Sequence, residues 1–283
     1  MVWAIANKFD LAKIIDFLLI NEWIHIQAIS PFCSGYGYEF PTASSNIVLI
    51  KKNNGEVNGV IVISNKGLIY PVLEEETRLS TNEKKELIKL LTQINVRIHG
   101  VIGLKEDVDF IDQVLFKSIR GSLNYIILKH NKEIPIKDII KIKVVKANPK
   151  DIEKLLPLEL EYQKEEVILN ISDLNRRAVK ENFRNKLKVD DIYYISGKNI
   201  PLSKGGTSYK SHNYALIGGV FTWKPERNKG YSTQLLQYMI TDLLHRGYIS
   251  VLFVKKDNKP ALHLYEKLNF ITPLDYKINY YYN

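Results

Sequence analysis

Short apolar runs of strand type alternate along this chain with amphipathic stretches of helix type, and they do so twice in nearly the same order. In the first pass, residues 1 to 20 read as a helix, with Ile14, Ile15, Leu18 and Leu19 recurring at three- and four-residue steps. The strands "NIVLIKK" and "EVNGVIVIS" follow, joined by the turn signal Asn53-Asn54-Gly55, and then the strand "GLIYPVL". A helix opening at Ser80 or Thr81 carries Leu87, Leu90 and Leu91 on one face. The strand "VRIHGVIG", the helix "KEDVDFIDQVLFKSI" and the strand "LNYIILK" close the pass.

Residues 130 to 138, "HNKEIPIKD", are polar and aperiodic and form the best linker in the chain. The second pass begins with the strand "KIKVVKA" and a helix announced by Asn148 and Pro149, an N-cap followed by proline in the first turn. A further helix covers about 171–188, and "DIYYISG" is a strand. A polar hairpin, "KNIPLSKGGTSYKSHN", leads into the strand "YALIGGVFTW". Helix 230–246, the strand "ISVLFVKK", helix 258–268 and the strand "YKINYYY", whose tyrosines read as packing and edge residues, complete it. This order is mixed α and β and suggests a duplicated fold without visible sequence repeat. A length of 283 residues suits two domains of ordinary size.

Lys8, Asp10, Lys13 and Asp16 interrupt the apolar opening stretch, so it cannot serve as the core of a signal peptide. No apolar run reaches the roughly 18 to 20 residues a bilayer requires, and a single cysteine, Cys33, allows neither an intrachain disulfide nor a cysteine-based metal site. A cytoplasmic protein without membrane attachment or metal is expected. The net charge of +9 is spread over helices, hairpins and loops rather than gathered on one arm, which argues against nucleic acid and for an anionic small molecule.

The stretch "PERNKGYSTQLLQYM" gives that anion a place. Leu235, Leu236, Met239, Ile240, Leu243 and Leu244 line one face of a helix that begins near Gly230 and is ended by Gly247. The first amides of such a helix lack intrahelical acceptors, and with the helix dipole they attract negative charge. Gly230 lets an anion approach the backbone, Ser232 keeps the next position small, and Arg227 and Lys229 add charge at the mouth.

In the second stretch, "LFVKKDNKPALHLYEKLNF", a strand runs into Asp257-Asn258 and a helix with Ala261, Leu264, Tyr265 and Leu268 on one face. Together the two stretches, residues 213–270, resemble the GNAT superfamily of acyl-CoA-dependent N-acyltransferases. Its phosphate signature is matched by Arg227, Gly230 and Ser232, and its later signature by Asn258, Ala261, Leu264, Tyr265 and Phe270. Ser232 departs from the usual Gly or Ala and brings a hydroxyl able to bind phosphate, while Asn269 stands where glycine normally closes the helix and tolerates the left-handed backbone.

The resemblance implies an α/β (mixed α+β) chain of two GNAT-like domains, each a twisted, mostly antiparallel sheet flanked by helices. Residues 1–132 would be a degenerate N-terminal domain and 139–283 the catalytic acetyltransferase domain. The N-terminal counterpart of the phosphate loop, "LEEETRLSTNEKK", lacks glycine and opens with glutamates, which would repel an anion.

The resemblance further implies acetyl-CoA as cofactor. Pantetheine would lie along Val220, Phe221 and Thr222, the diphosphate on the amides of Asn228, Lys229, Gly230, Tyr231, Ser232 and Thr233, and Asn258 on the pantetheine arm. Tyr265 would protonate the departing thiolate. Candidates for the base that would deprotonate the amine are the acidic run Glu159, Glu161, Glu165 and Glu166, of which Glu166 is favoured, and His212. The implied reaction is direct acetyl transfer to a primary amine on a small molecule or peptide. The alternative is a non-catalytic acyl-CoA-binding or scaffold protein. The loop "FCSGYGYEF" reads equally as a substrate lid or a packed loop.

Overall fold

A computed structural model describes residues 2–35, 37–42, 44–79, 81–94, 96–133, 142–198 and 200–282. Ser80, one of the two N-cap candidates, lies outside the described residues, as do most of the linker and position 139, where the second assigned domain starts.

Twelve strands pair into one sheet: β1 Val2–Ile5, β2 Asn46–Asn53, β3 Glu56–Ser64, β4 Leu68–Leu73, β5 Gly100–Leu104, β6 Ile119–His130, β7 Val144–Lys146, β8 Ile192–Ser196, β9 Pro201–Lys210, β10 Tyr214–Thr222, β11 Ile249–Lys255 and β12 Phe270–Tyr281. Their spatial order is 1-2-3-4-5-12-6-11-10-9-8-7. Each half therefore gives its last strand to the other. β6 pairs with β11 (Tyr125 opposite Lys255), and β12 pairs with β5 (Tyr276 opposite Leu104), while β6 and β12 run antiparallel at the centre.

The helices are α1 Leu11–Leu19, α2 Ile26–Ile29, α3 Glu75–Leu79, α4 Thr81–Gln93, α5 Lys105–Leu115, α6 Ile152–Tyr162, α7 Arg176–Val189, α8 Tyr231–His245 and α9 Lys259–Lys267. They cover both faces, as the period-two alternation of the strands requires. On β11, Val251 joins the core on the α1 face with Ile14, Ile15 and Leu18, whereas Leu252 and Val254 join the core on the opposite face with Leu235, Met239 and Ile240 of α8. Among the described residues, no helix is long and apolar enough to cross a membrane, and no group of histidine, cysteine and acidic residues could hold a metal ion.

Several local expectations hold for stated reasons. Asn54 and Gly55 both take positive φ, as a tight turn between right-twisted strands demands. Asn148 caps its turn in a reciprocal arrangement with Asp151. Asn269 adopts φ +61°, the left-handed value anticipated for a residue replacing glycine.

Four expectations need correction. The opening residues are not all helix: Val2–Ile5 pair with β2, which buries Trp3. The further helix begins at Arg176 rather than near 171, because Asn175 caps it through the Ala178 amide. The polar "hairpin" is mostly the ten-residue strand β9, buried at Ser203, Lys204, Gly205, Gly206 and Thr207 despite its composition. Of the final tyrosines, Tyr280 and Tyr281 lie on a central strand rather than an edge, and Tyr281 is buried with its hydroxyl donating to Asp112.

In the N-terminal half the parallel strands β4 and β5 pair only at Leu68 with Gly100 and Ile69 with Val101, and a buried polar cluster lies at α3. Thr77 of α3 is fully buried and accepts a hydrogen bond from Lys51 Nζ at 2.9 Å, and Lys51 is paired with Glu83 at 3.1 Å. Glu74, just before α3, accepts from Asn58 Nδ2 at 2.7 Å.

Titration of buried groups gives a first testable consequence. Burial pulls the imidazoles of His25 and His130 down to about 4 from 6.5, and neither ring nitrogen of His130 has a hydrogen-bond partner among the described residues. Between about 4 and 6.5 the unfolded chain therefore binds more protons at these two sites, so their contribution to stability is lost as pH falls through that window. Asp190, whose carboxyl burial pushes up to about 6, opposes them with one group. Thermal melts should show a lower Tm at pH 5 than at pH 7.5, and His130→Phe should flatten that slope.

Candidate active site

β10 and β11 are parallel but pair only over Tyr214–Ile217 and Ile249–Leu252. Beyond those pairs the strands diverge, and a cleft of ≈ 820 Å³ opens between Gly218–Thr222 on one side and Phe253–Lys255 on the other. The divergence has a local cause. Opposite β9, the steps Lys204↔Phe221 and Gly206↔Gly218 count one extra residue on β10, and Gly219 takes φ +62° to absorb it.

The head of α8 faces this cleft. Gly230 takes φ +80° and makes no side-chain cap, and the first backbone bond into the helix is Gln234 N to Gly230 O at 3.1 Å. The amides of Tyr231, Ser232 and Thr233 thus precede the helical ladder. A Cβ placed on Gly230 meets no atom within 4 Å, so the space beside this helix head is open. A phosphate group fits this donor set. Asn228, at φ +64°, turns the chain just before it.

Of the residues singled out from sequence, Val220, Phe221, Thr222, Arg227, Asn228, Gly230, Tyr231, Ser232, Thr233, Asn258, Tyr265 and Glu166 all line this one cleft. Lys229 is not among its lining and pairs with Glu226 at 3.0 Å. Ser232 directs its hydroxyl to Thr222 Oγ1 at 2.7 Å, and Thr222 donates to Ser203 at 2.8 Å. Asn258 uses its Oδ1 to cap α9 through the Ala261 amide. His212 is exposed near the opposite end of β10 with its ring against Tyr38, and the structure does not bring it to the cleft. Of the aromatic loop, Phe32 is fully buried, and Tyr38 and Phe40 pack half-buried against the same core.

Tyr265 is nearly buried, its ring edge-on to Phe270 at 5.7 Å. Burial, and then the negative charge of Glu166, pushes its phenol up to about 12, so it keeps its proton at neutral pH. Glu166 lies on a π-helical turn, Gln163–Val167, that continues α6, and Lys255 holds its carboxylate at 3.1 Å. The preceding Glu165 bridges to Arg227 at 2.8 Å and to Lys224 at 3.4 Å. Burial opposes ionisation of Glu165, yet its bond from Arg227 holds the carboxyl below its ordinary range. The same turn is thus fastened to both lips of the cleft.

Sequence reasoning missed Tyr125, Glu165 in its tie to Arg227, and the Gly219 bulge. Tyr125 belongs to the first half and reaches the cleft only because β6 pairs with β11. No local signal marks it.

The order of elements recurs in both halves, and in the second half the sheet opens between two parallel strands above a glycine-headed helix, the arrangement of a GNAT-type fold. Residues 209–278, from the end of β9 into β12, match the family described as FR47-like protein. Over its whole length the chain is similar in structure to a GNAT-family acetyltransferase from Colwellia psychrerythraea (TM-score 0.56, 13% identity, 100% of both chains). It is likewise similar to a Drosophila protein (TM-score 0.67, 7% identity, 99% of this chain and 98% of that one). A tandem GNAT protein from the clavulanic acid biosynthesis pathway aligns with a TM-score of 0.55 at 11% identity, over 99% of this chain and 96% of that one. At these identities the likeness is one of fold. Comparison with curated proteins gave no match.

Proposed function

We propose that the protein is an N-acetyltransferase that transfers an acetyl group from acetyl-CoA directly to a primary amine. The observation that carries this reading is the convergence, on one cleft, of the open α8 amides, the diverging end of β10 and the protonated phenol of Tyr265. Bound acetyl-CoA would supply the activated acyl group. The amides from Asn228 to Thr233 hold its diphosphate, Val220 to Thr222 offer backbone partners to the pantetheine arm, and Asn258 borders that arm. A backbone amide aimed at the thioester oxygen stabilises the charge that develops there, worth about 3 kcal/mol per donor. Tyr265 donates its proton to the departing sulfur, and Glu166 receives the proton lost by the attacking amine. The N-terminal domain, residues 1–132, serves as a degenerate partner that contributes Tyr125 to the cleft wall of the catalytic domain, residues 139–283.

The test is release of free coenzyme A from acetyl-CoA across a panel of small-molecule amines and peptides. Calorimetric binding of coenzyme A with no turnover on any acceptor would replace this reading with that of a non-catalytic acyl-CoA-binding protein.

The Glu165 bridge yields a further expectation. Glu165→Gln leaves Arg227 without its carboxylate partner, so affinity for coenzyme A should rise about 3-fold at low salt, the scale of an exposed ion pair. Titration calorimetry in 0.5 M salt, roughly a 4 Å screening length, should show that gain shrink.

A further inference from the structure

Lys204 is a charged residue within strand β9, with its side chain only 4% exposed. Its ammonium donates to the Gly219 carbonyl at 2.9 Å, pairs with Glu159 Oε2 at 2.8 Å and lies 4.2 Å from the centre of the Tyr162 ring. The second oxygen of Glu159 accepts from Gln163 Nε2 at 2.7 Å. Burial pulls the pKa of Lys204 down, and the Glu159 carboxylate pushes back. An apolar pair of similar volume would serve stability as well or better. Stability therefore leaves this pair unexplained.

Its location supplies the explanation. Gly219 is the residue of positive φ in the β10 bulge, and a Cβ built there would sit 3.4 Å from Lys204 Nζ. Among the described residues no peptide bond is cis, so the carbonyl of Gly219 and the amide of Val220, which share one peptide plane, point in opposite directions. With that carbonyl drawn back to Lys204, the Val220 amide faces away from it. Gly219 and Val220 line the cleft and Lys204 does not.

We propose that Lys204, held by Glu159, is a positioning residue that fixes the Gly219 bulge and thereby aims the Val220 amide into the cleft, at the pantetheine arm of the bound thioester. This rests on the acetyl-CoA reading above. Lys204 never touches the ligand and acts through the backbone it restrains.

The experiment compares two probes by titration calorimetry: coenzyme A, and adenosine 3′-phosphate 5′-diphosphate, which carries the diphosphate but no pantetheine. Lys204→Met alone strands Glu159 as a buried charge, so the informative variant is Lys204→Met with Glu159→Leu. Gly219→Ala disturbs the same bulge while leaving the ion pair in place. In both variants the preference for coenzyme A over the fragment should fall about 10-fold while fragment affinity stays within about 2-fold, the scale of one or two backbone hydrogen bonds lost from the arm. A general loss of packing would weaken both probes together. An unchanged preference in both variants, or a wild-type protein that binds the two probes equally, overturns the proposal. A wild-type protein that binds neither probe overturns the cofactor reading itself.

Discussion

Gly230→Asp is expected to lower the affinity for coenzyme A by about 100-fold or more while leaving α8 folded. An aspartate at this helix head would take the left-handed backbone of Gly230 (φ +80°), which Asp tolerates better than most residues, with its Cβ clear of every atom within 4 Å. Its carboxylate would stand at the helix head and, at about 4 Å, repel each phosphate charge by ~1 to 4 kcal/mol, depending on local screening. Gly230→Ala separates the two effects, since its methyl meets no atom within 4 Å and carries no charge. Calorimetry on both variants, with Tm as a check on folding, distinguishes an anion site from a mere helix start. If Gly230→Asp binds coenzyme A as tightly as the wild type, the helix head is not the diphosphate site.

The second large effect concerns Tyr265. Tyr265→Phe removes only a hydroxyl, so the ring keeps its contact with Phe270 and its place in the core beside Leu268. With the proton donor gone, kcat should fall about 10²- to 10³-fold, the usual range for loss of a general acid, while the affinity for coenzyme A hardly changes. The phenol sits at about 12, so the wild-type rate should show no loss from Tyr265 deprotonation as pH rises to 10. A Tyr265→Phe enzyme with wild-type kcat would assign the aromatic ring to packing alone.

The two site-bearing stretches were legible because their signals are short-ranged. The spacing of Leu235, Leu236, Met239 and Ile240 fixes a helical face, and Gly230 and Gly247 mark its ends within a turn or so. Asn258 caps α9 through a residue three positions away. By contrast, β9 was read as a polar hairpin because Ser203, Lys204, Gly205, Gly206 and Thr207 carry no alternation of apolar with polar residues. The lysine of that strand bonds a glycine carbonyl 15 residues away in sequence, at a bulge the pattern does not disclose. The N-terminal strand was hidden by the amphipathic helix that follows it, since Val2–Ile5 is too short to display a period of its own.

Sequence alone determined most of the order of elements, the left-handed turns at Gly55 and Asn269, and the open helix head at Gly230, because each depends on dihedral preferences and contacts within a few residues. Tertiary structure alone decided that β6 and β12 change places, that Tyr125 of one half faces the cleft of the other, and that Lys204 stands behind Gly219. Strand pairing and buried ion pairs join residues far apart along the chain, and local pattern does not specify the partner when several apolar strands compete for the same edge.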